Sequence, residues 1–217
     1  MNRGNDKVEV GENVGNSLVM FVGSSTISIV EQYRLQLQTE SPVTFLLPHK
    51  NEVVLKKLFH VIQADFHDNV HGLAYNGELG SCYFIVDEQE PFIKIKREDN
   101  EALVRANQSI FVEFGKRYDR VLLIGESSCS FDAVVIEYML EQLYMLNKSA
   151  HVISWCPIQS ELARENNASL LQAIEKYGAQ HTVVTAQDEE PDGFLSLFKA
   201  YNREIALVVD RVFQEQQ

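Results

Sequence analysis

The sequence predicts an α/β domain of three layers, a mostly parallel, Rossmann-like sheet with helices on both faces. Short apolar runs alternate along the chain with longer stretches of helical spacing, the order that builds parallel sheets. The run 120–124 is nearly all apolar, as a strand covered on both faces must be. The chain has 217 residues, 45% of them hydrophobic, enough to bury a core without metal or disulfides.

The elements follow in order. Residues 1–16 are polar and mixed in charge and are expected to form a flexible tail before a single domain over 17–217. An apolar run over 17–22 ends in Gly23-Ser24-Ser25, and 27–38 then has helical spacing, which makes a strand, a turn and a helix. A second strand fits 43–47, closed by Pro48. Residues 53–64 read as an amphipathic helix with Val54, Leu55, Leu58, Phe59 and Ile62 on its apolar side. The runs 82–86 and 92–95, joined by the acidic Asp87-Glu88-Gln89-Glu90-Pro91, read as a β-hairpin at about 82–95, an edge ribbon outside the parallel sheet. The alternation resumes with a helix over 99–116, a strand over 120–124, a helix over 131–146 and a strand over 151–155 stopped by Pro157. A helix over 160–177 ended by Gly178, a strand over 182–185 and an acidic turn over 187–193 come next. The final helix, 194–214, places Phe194, Leu197, Phe198, Tyr201, Ile205, Val208, Val209 and Val212 on a 3.6-residue period.

Composition narrows the partners. The 31 acidic residues outnumber 19 basic ones for a net charge of -12, and no stretch concentrates Lys and Arg, so nucleic acid is not expected as a partner. The first 16 residues lack the apolar centre of a signal peptide, and no segment reaches the roughly 20 apolar residues of a membrane span. No membrane insertion and a cytoplasmic location are therefore expected. Cys82, Cys129 and Cys156 have no paired spacing and read as free thiols. The sequons at Asn107, Asn147 and Asn167 are chance matches in such a protein.

Ligands of open α/β sheets bind outside the carboxyl ends of the strands, where the amides opening the next helix attract anions. Two turns fit that position. Gly23-Ser24-Ser25-Thr26 and Gly125-Glu126-Ser127-Ser128-Cys129-Ser130 each follow an apolar strand with one glycine and then small hydroxyl-bearing residues. Small side chains let phosphate approach the backbone, yet Ser and Thr also cap helix starts whatever the function. Neither turn has the Gly-Lys-Ser/Thr of a Walker loop or the spaced glycines of a dinucleotide fingerprint, and Glu126 sets a carboxylate beside the anion position.

From Arg120 onward the order of pieces resembles the nucleotide-binding domain of the FtsZ/tubulin superfamily. There an apolar strand enters a Gly-Gly-Gly-Thr-Gly-Ser/Thr-Gly loop and then a helix; here Val121-Leu122-Leu123-Ile124 enters Gly125-Glu126-Ser127-Ser128-Cys129-Ser130, with a single glycine left. Arg164-Glu165-Asn166-Asn167-Ala168 stands where the family has an amide near the guanine. The helix from Phe194 resembles the family's long central helix, with Asn202 at the base-facing position. The resemblance implies phosphate contacts from Gly23, Ser24, Ser25, Gly125, Ser127, Ser128 and Ser130 and purine contacts from Asn167 and Asn202, with GTP or GDP as the ligand. It also implies weakened binding, because each added β-carbon hinders close approach. The family's second domain and its catalytic acidic loop have no counterpart, so filament-coupled GTP hydrolysis is not expected. The reading is a non-catalytic or weakly nucleotide-binding assembly or regulatory module, acting on itself or on a cytoskeletal or cell-division partner. Asn167 and Asn202 also read simply as a helix cap and a solvent-facing amide.

Three other readings stand beside this one. A small Rossmann-like enzyme or cofactor-binding protein would use the same crevice for a nucleotide or phosphorylated metabolite, with a peripheral rather than central last helix. A partner-binding domain would use the acidic ribbon 87–91. Ser127 or Ser128 with His151 or His181 would make a hydrolase, although no Gly-x-Ser-x-Gly elbow is present. His67 and His71, with Asp65 and Asp68 alongside, have metal-ligand spacing but sit in a turn-like stretch and read as exposed. Cys129 at a helix start faces Glu126 and Asp132, which oppose a thiolate.

Overall fold

Strand order places the two glycine turns side by side. The computed structural model describes residues 16–33, 43–48, 74–76, 80–85, 94–157, 160–185 and 194–215. Among them β1 (Ser17–Val22), β2 (Val43–Leu47), β3 (Ala74–Asn76), β4 (Ser81–Phe84), β5 (Arg120–Glu126), β6 (Ser149–Trp155) and β7 (Gln180–Val184) form one sheet in the order β3-β4-β2-β1-β5-β6-β7. All neighbours run parallel except β3 against β4. β1 and β5 are paired through Phe21↔Ile124, so both strand-to-helix turns open at the same edge of the sheet.

Alternation within each strand builds two cores. Val19, Phe21, Phe45, Leu122, Ile124, Ile153 and Trp155 face one side, where they meet α1 (Ser25–Tyr33) and Ile205, Ala206, Val209 and Val212 of α6 (Phe194–Glu215). Phe21 stacks on Phe45 with ring centroids 5.1 Å apart. Leu18, Met20, Val22, Val121 and Leu123 face the other side. It is covered by α2 (Arg97–Ala106), α3 (Gln108–Arg117), α4 (Ser130–Met145) and α5 (Glu161–Tyr177). Helices on both faces and alternating inward side chains make the three expected layers.

Several boundaries differ from expectation for identifiable reasons. The helix expected over 99–116 is two helices, because Asn107 turns its side-chain amide back to the Leu103 carbonyl at 2.9 Å and leaves helical geometry. β5 runs on through Gly125 and Glu126, which pair with Ser154 and Trp155 of β6. The β-hairpin expected at about 82–95 is not what β4 forms: it pairs antiparallel with the preceding run, β3, and parallel with β2, so it lies inside the sheet. Cys82 and Phe84 are wholly buried in one core and Ile85 in the other, which requires a strand covered on both faces. Phe92 and Ile93 lie outside the described residues, while Lys94 and Ile95 are not strand and Ile95 is 73% exposed. The expected helix 53–64, His67, His71 and the acidic stretches 87–91 and 187–193 also lie outside. Ser160 caps α5 by accepting the Ala163 amide, and Gly178 ends it with φ +65, as the sequence predicts.

Candidate functional site

The first turn is closed around its glycine. Gly23 has φ +83, a left-handed conformation that its missing β-carbon permits, and its amide donates to the Leu46 carbonyl at 2.9 Å. Thr26 turns its hydroxyl back to the Gly23 carbonyl at 2.6 Å, so the chain reverses into α1 without help from outside. Ser24 and Ser25 are half-buried, and the Ser24 hydroxyl oxygen is buried with no hydrogen-bond partner.

The second turn is shorter than the sequence suggests, since β5 takes Gly125 and Glu126 and α4 begins at Ser130. Gly125 is needed for packing. A β-carbon there would meet Ile136 Cδ1 at 2.8 Å and Val22 Cβ at 3.4 Å, so the glycine lets α4 lie against the sheet. Ser127 sends both its amide, at 2.9 Å, and its hydroxyl, at 3.0 Å, to the Trp155 carbonyl of β6. Ser128 donates to Glu126 Oε1 at 2.5 Å, and the Cys129 amide donates to the Glu126 carbonyl at 3.0 Å. Ser130 accepts from the buried Asn100 amide at 3.1 Å, which also donates to the carbonyls of Lys94 and Lys96. The hydroxyls of this loop thus bond within the protein, Ser128 inside the loop and Ser127 and Ser130 to other segments. None caps α4, whose N-cap is Cys129 without a side-chain cap bond.

Two carboxyl groups link the turns. Asp132, in the first turn of α4 and 1% exposed, accepts the Glu126 amide at 3.0 Å. Its oxygens lie 2.1 and 2.4 Å from where a β-carbon on Gly23 would stand. Burial raises its proton affinity well above the ordinary aspartate value; the Glu126 amide opposes that rise and the Glu126 charge adds to it. Glu126, also buried, accepts from Ser128 and Ser25 and so ties one turn to the other. Burial pushes its carboxyl up too, against those two hydroxyls. The Cys129 thiol is raised by burial first and by Asp132 second, so it stays protonated at neutral pH.

The remaining predicted residues divide. Asn166, not its neighbour Asn167, reaches the loop: it is 1% exposed and donates to the Ser128 carbonyl at 3.2 Å, while its Oδ1 is buried without a partner. Asn167 is half-buried on α5. Asn202 is half-buried on α6, which packs against α1, β6 and β7. His151 bonds to Thr182 at 2.8 Å and His181 to Ser154 at 2.9 Å. Ser127 reaches β6 at Trp155, four residues and about 13 Å along the strand from His151, and His181 is bonded to Ser154, while Ser127 and Ser128 donate to Trp155 and Glu126, so the expected serine-histidine pair is not formed. Burial, and His151 after it, lower the His181 proton affinity. Among the described residues no group of His, Cys, Asp and Glu could hold a metal, and no helix is long and apolar enough to cross a membrane. A cavity of about 400 Å³ lies at the amino ends of the strands, lined by Leu18, Leu140, Leu143, Tyr144, His151 and Tyr177, away from both glycine turns.

Asp132, Asn100 and Asn166 escape a reading from sequence. An Asp in the third position of a helix is a common complement to the helix dipole, and nothing local tells that it folds over a distant glycine.

No family model and no curated protein sequence matches the chain. Solved structures do. CetZ from Methanosaeta thermophila is 15% identical with a TM-score of 0.63, covering 92% of this chain and 54% of its own. An empty FtsZ dimer from M. jannaschii is 8% identical with a TM-score of 0.65, covering 90% and 54%. The phage tubulin PhuZ, solved with GDP, is 11% identical with a TM-score of 0.62, covering 93% and 56%. The chain therefore spans little more than half the length of these structures. This chain has the Rossmann-like α/β fold seen in these FtsZ- and tubulin-like structures.

Proposed function

We propose that the chain is an FtsZ/tubulin-like assembly or regulatory module that associates with itself or with a cytoskeletal or cell-division partner, without hydrolysing GTP and with at most weak binding of GTP or GDP. The fold supports the tubulin-like part. The weak grip on nucleotide rests on one observation, the inward turn of the second loop: the Glu126, Ser127 and Cys129 amides and the hydroxyls of Ser127, Ser128 and Ser130 are all engaged within the protein. A phosphate at this position would have to displace those bonds and approach two carboxyl groups, at a net protein charge of -12. The competing reading, a small Rossmann-like enzyme, draws no support from α6. That helix packs against α1, β6 and β7 and buries Ile205, Ala206, Val209 and Val212 in the core on one sheet face.

Sedimentation velocity over a concentration series, with GTP, with GDP and without nucleotide, tests the reading together with calorimetric titration. The expected result is concentration-dependent association unchanged by nucleotide, with dissociation constants for GTP and GDP in the millimolar range or weaker. Micromolar binding of either nucleotide, or assembly that requires GTP, would overturn it.

A further inference from the structure

We propose that the cavity at the amino ends of the strands is a binding site for a small aromatic carboxylate, whose ring packs against Tyr144 and Tyr177 and whose charge meets Arg120. The site lies at the opposite edge of the sheet from the glycine turns and is independent of the function proposed above. Ser17, Arg120, Ser149 and Gln180, the first residues of β1, β5, β6 and β7, line it together with Leu140 and Leu143 of α4. Its volume of about 400 Å³ falls within the range of roughly 300 to 1,000 Å³ found for small-molecule sites.

Charge argues for an anion. A chance gap between helix ends would carry the charge of the surface around it, and this chain has 31 acidic residues against 19 basic ones. Yet no Asp or Glu lines the cavity, whereas Arg120 and Lys148 do. Lys148 is ion-paired with Asp119, which is not part of the lining, so those two charges offset each other. Arg120 has no such partner: among the described residues its exposed guanidinium makes no hydrogen bond or ion pair, and its planar fork of donors fits a carboxylate two bonds at a time. The carbonyls ending α4 and α5, which would favour a cation here, are already taken, since the amides of Leu146, Lys148 and Ala179 bond to the carbonyls of Gln142, Leu143 and Ile174. The aromatic part rests on Tyr144 and Tyr177, whose rings are tilted by 49° with centroids 5.5 Å apart. Tyr144 is 58% exposed and leaves ring surface open for a third ring, beside the apolar surface of Leu140 and Leu143.

The test takes naphthoate as the probe, titrated by calorimetry and followed by methyl NMR in the wild-type chain, Arg120→Gln, Tyr144→Ala and, as a control, Arg164→Gln, each first checked by far-UV circular dichroism. Arg164 is an exposed cation in the first turn of α5, at the other end of that helix from Tyr177. The wild type is expected to bind with a dissociation constant of about 1 mM or tighter, and the methyl resonances of Leu140 and Leu143 should shift while those of Val22, at the first glycine turn, stay in place. Arg120→Gln and Tyr144→Ala are each expected to weaken binding about threefold or more, and Arg164→Gln by less than that. Uncharged naphthamide and non-aromatic cyclohexanecarboxylate should each bind the wild type about threefold or more weaker than naphthoate. No binding up to about 10 mM, a smaller loss in either folded variant, or an equal loss in Arg164→Gln overturns the inference. Shifts at Val22 in place of Leu140 and Leu143, or equal affinity for naphthamide or cyclohexanecarboxylate, overturns it as well. The methyl shifts and the comparison of probes need no variant, and they decide the matter if one fails to fold.

Discussion

The two glycine turns look alike in sequence, each an apolar strand followed by one glycine and small hydroxyl-bearing residues, yet the fold uses them for different ends. Gly23 is a backbone device: its φ of +83 and the Asp132 carboxyl over its Cα exclude any side chain. Gly125 is a packing device in an extended strand, where the nearest obstacle to a side chain is the Cδ1 methyl group of Ile136. Similar letters thus record a turn in one case and a helix-to-sheet contact in the other. Only the partner residues tell them apart.

The contrast is open to direct attack. Gly23→Ala is expected to have the largest effect, a loss of about 3 to 5 kcal/mol, since it combines a left-handed φ with a collision against a buried carboxyl. Urea unfolding measures it, and a loss under about 1 kcal/mol would mean that Asp132 does not sit over the turn. Gly125→Ala is expected to cost less, about 1 to 2 kcal/mol, and Ile136→Val in the same chain should recover most of it by withdrawing the methyl group met at 2.8 Å. If the second change brings no recovery, the glycine is needed for something other than packing.

The smallest effect is the most informative about the crevice. Asp132 and Glu126 bind their protons more tightly folded than unfolded. Below the ordinary carboxyl range both states are protonated and the contribution to stability is complete. As pH rises past about 4 the unfolded chain ionises first, so this stability is lost progressively up to the folded-state values. Asp132→Asn keeps the shape and removes the titration. Its stability relative to the wild type should therefore rise with pH from about 4 to 8, by roughly 1 kcal/mol or more. A constant difference across that range would show that Asp132 is ionised and solvated.

Much of the fold was legible because periodicity reports burial. β1 and β2 fall where their apolar runs fall, and the caps of α5 at Ser160 and Gly178 follow from local chemistry. Where reading failed, a distant partner had decided. Asn107 is an unremarkable residue in a helical pattern until its side chain takes the Leu103 carbonyl and splits the helix. Cys82 and Phe84 read as an edge ribbon because nothing local reveals that β2 lies beside them. At the candidate site the positions of the turns were legible and the direction of their donors was not. Ser127 was a phosphate candidate by its neighbours, and Trp155, 28 residues on, takes both its hydrogen bonds.

What the sequence determined by itself, then, is the alternation of strands and helices, the two turns at their carboxyl ends and an acidic surface, since these depend on spacing, on small turn residues and on charge count. Only the tertiary structure decided that Asp132 closes over Gly23 and Glu126 bridges Ser25 and Ser128. Those contacts join residues brought together by the pairing of β1 with β5. Each carboxyl's role depends on which amide, hydroxyl or empty β-carbon position the fold sets against it, and neighbours in sequence do not carry that information.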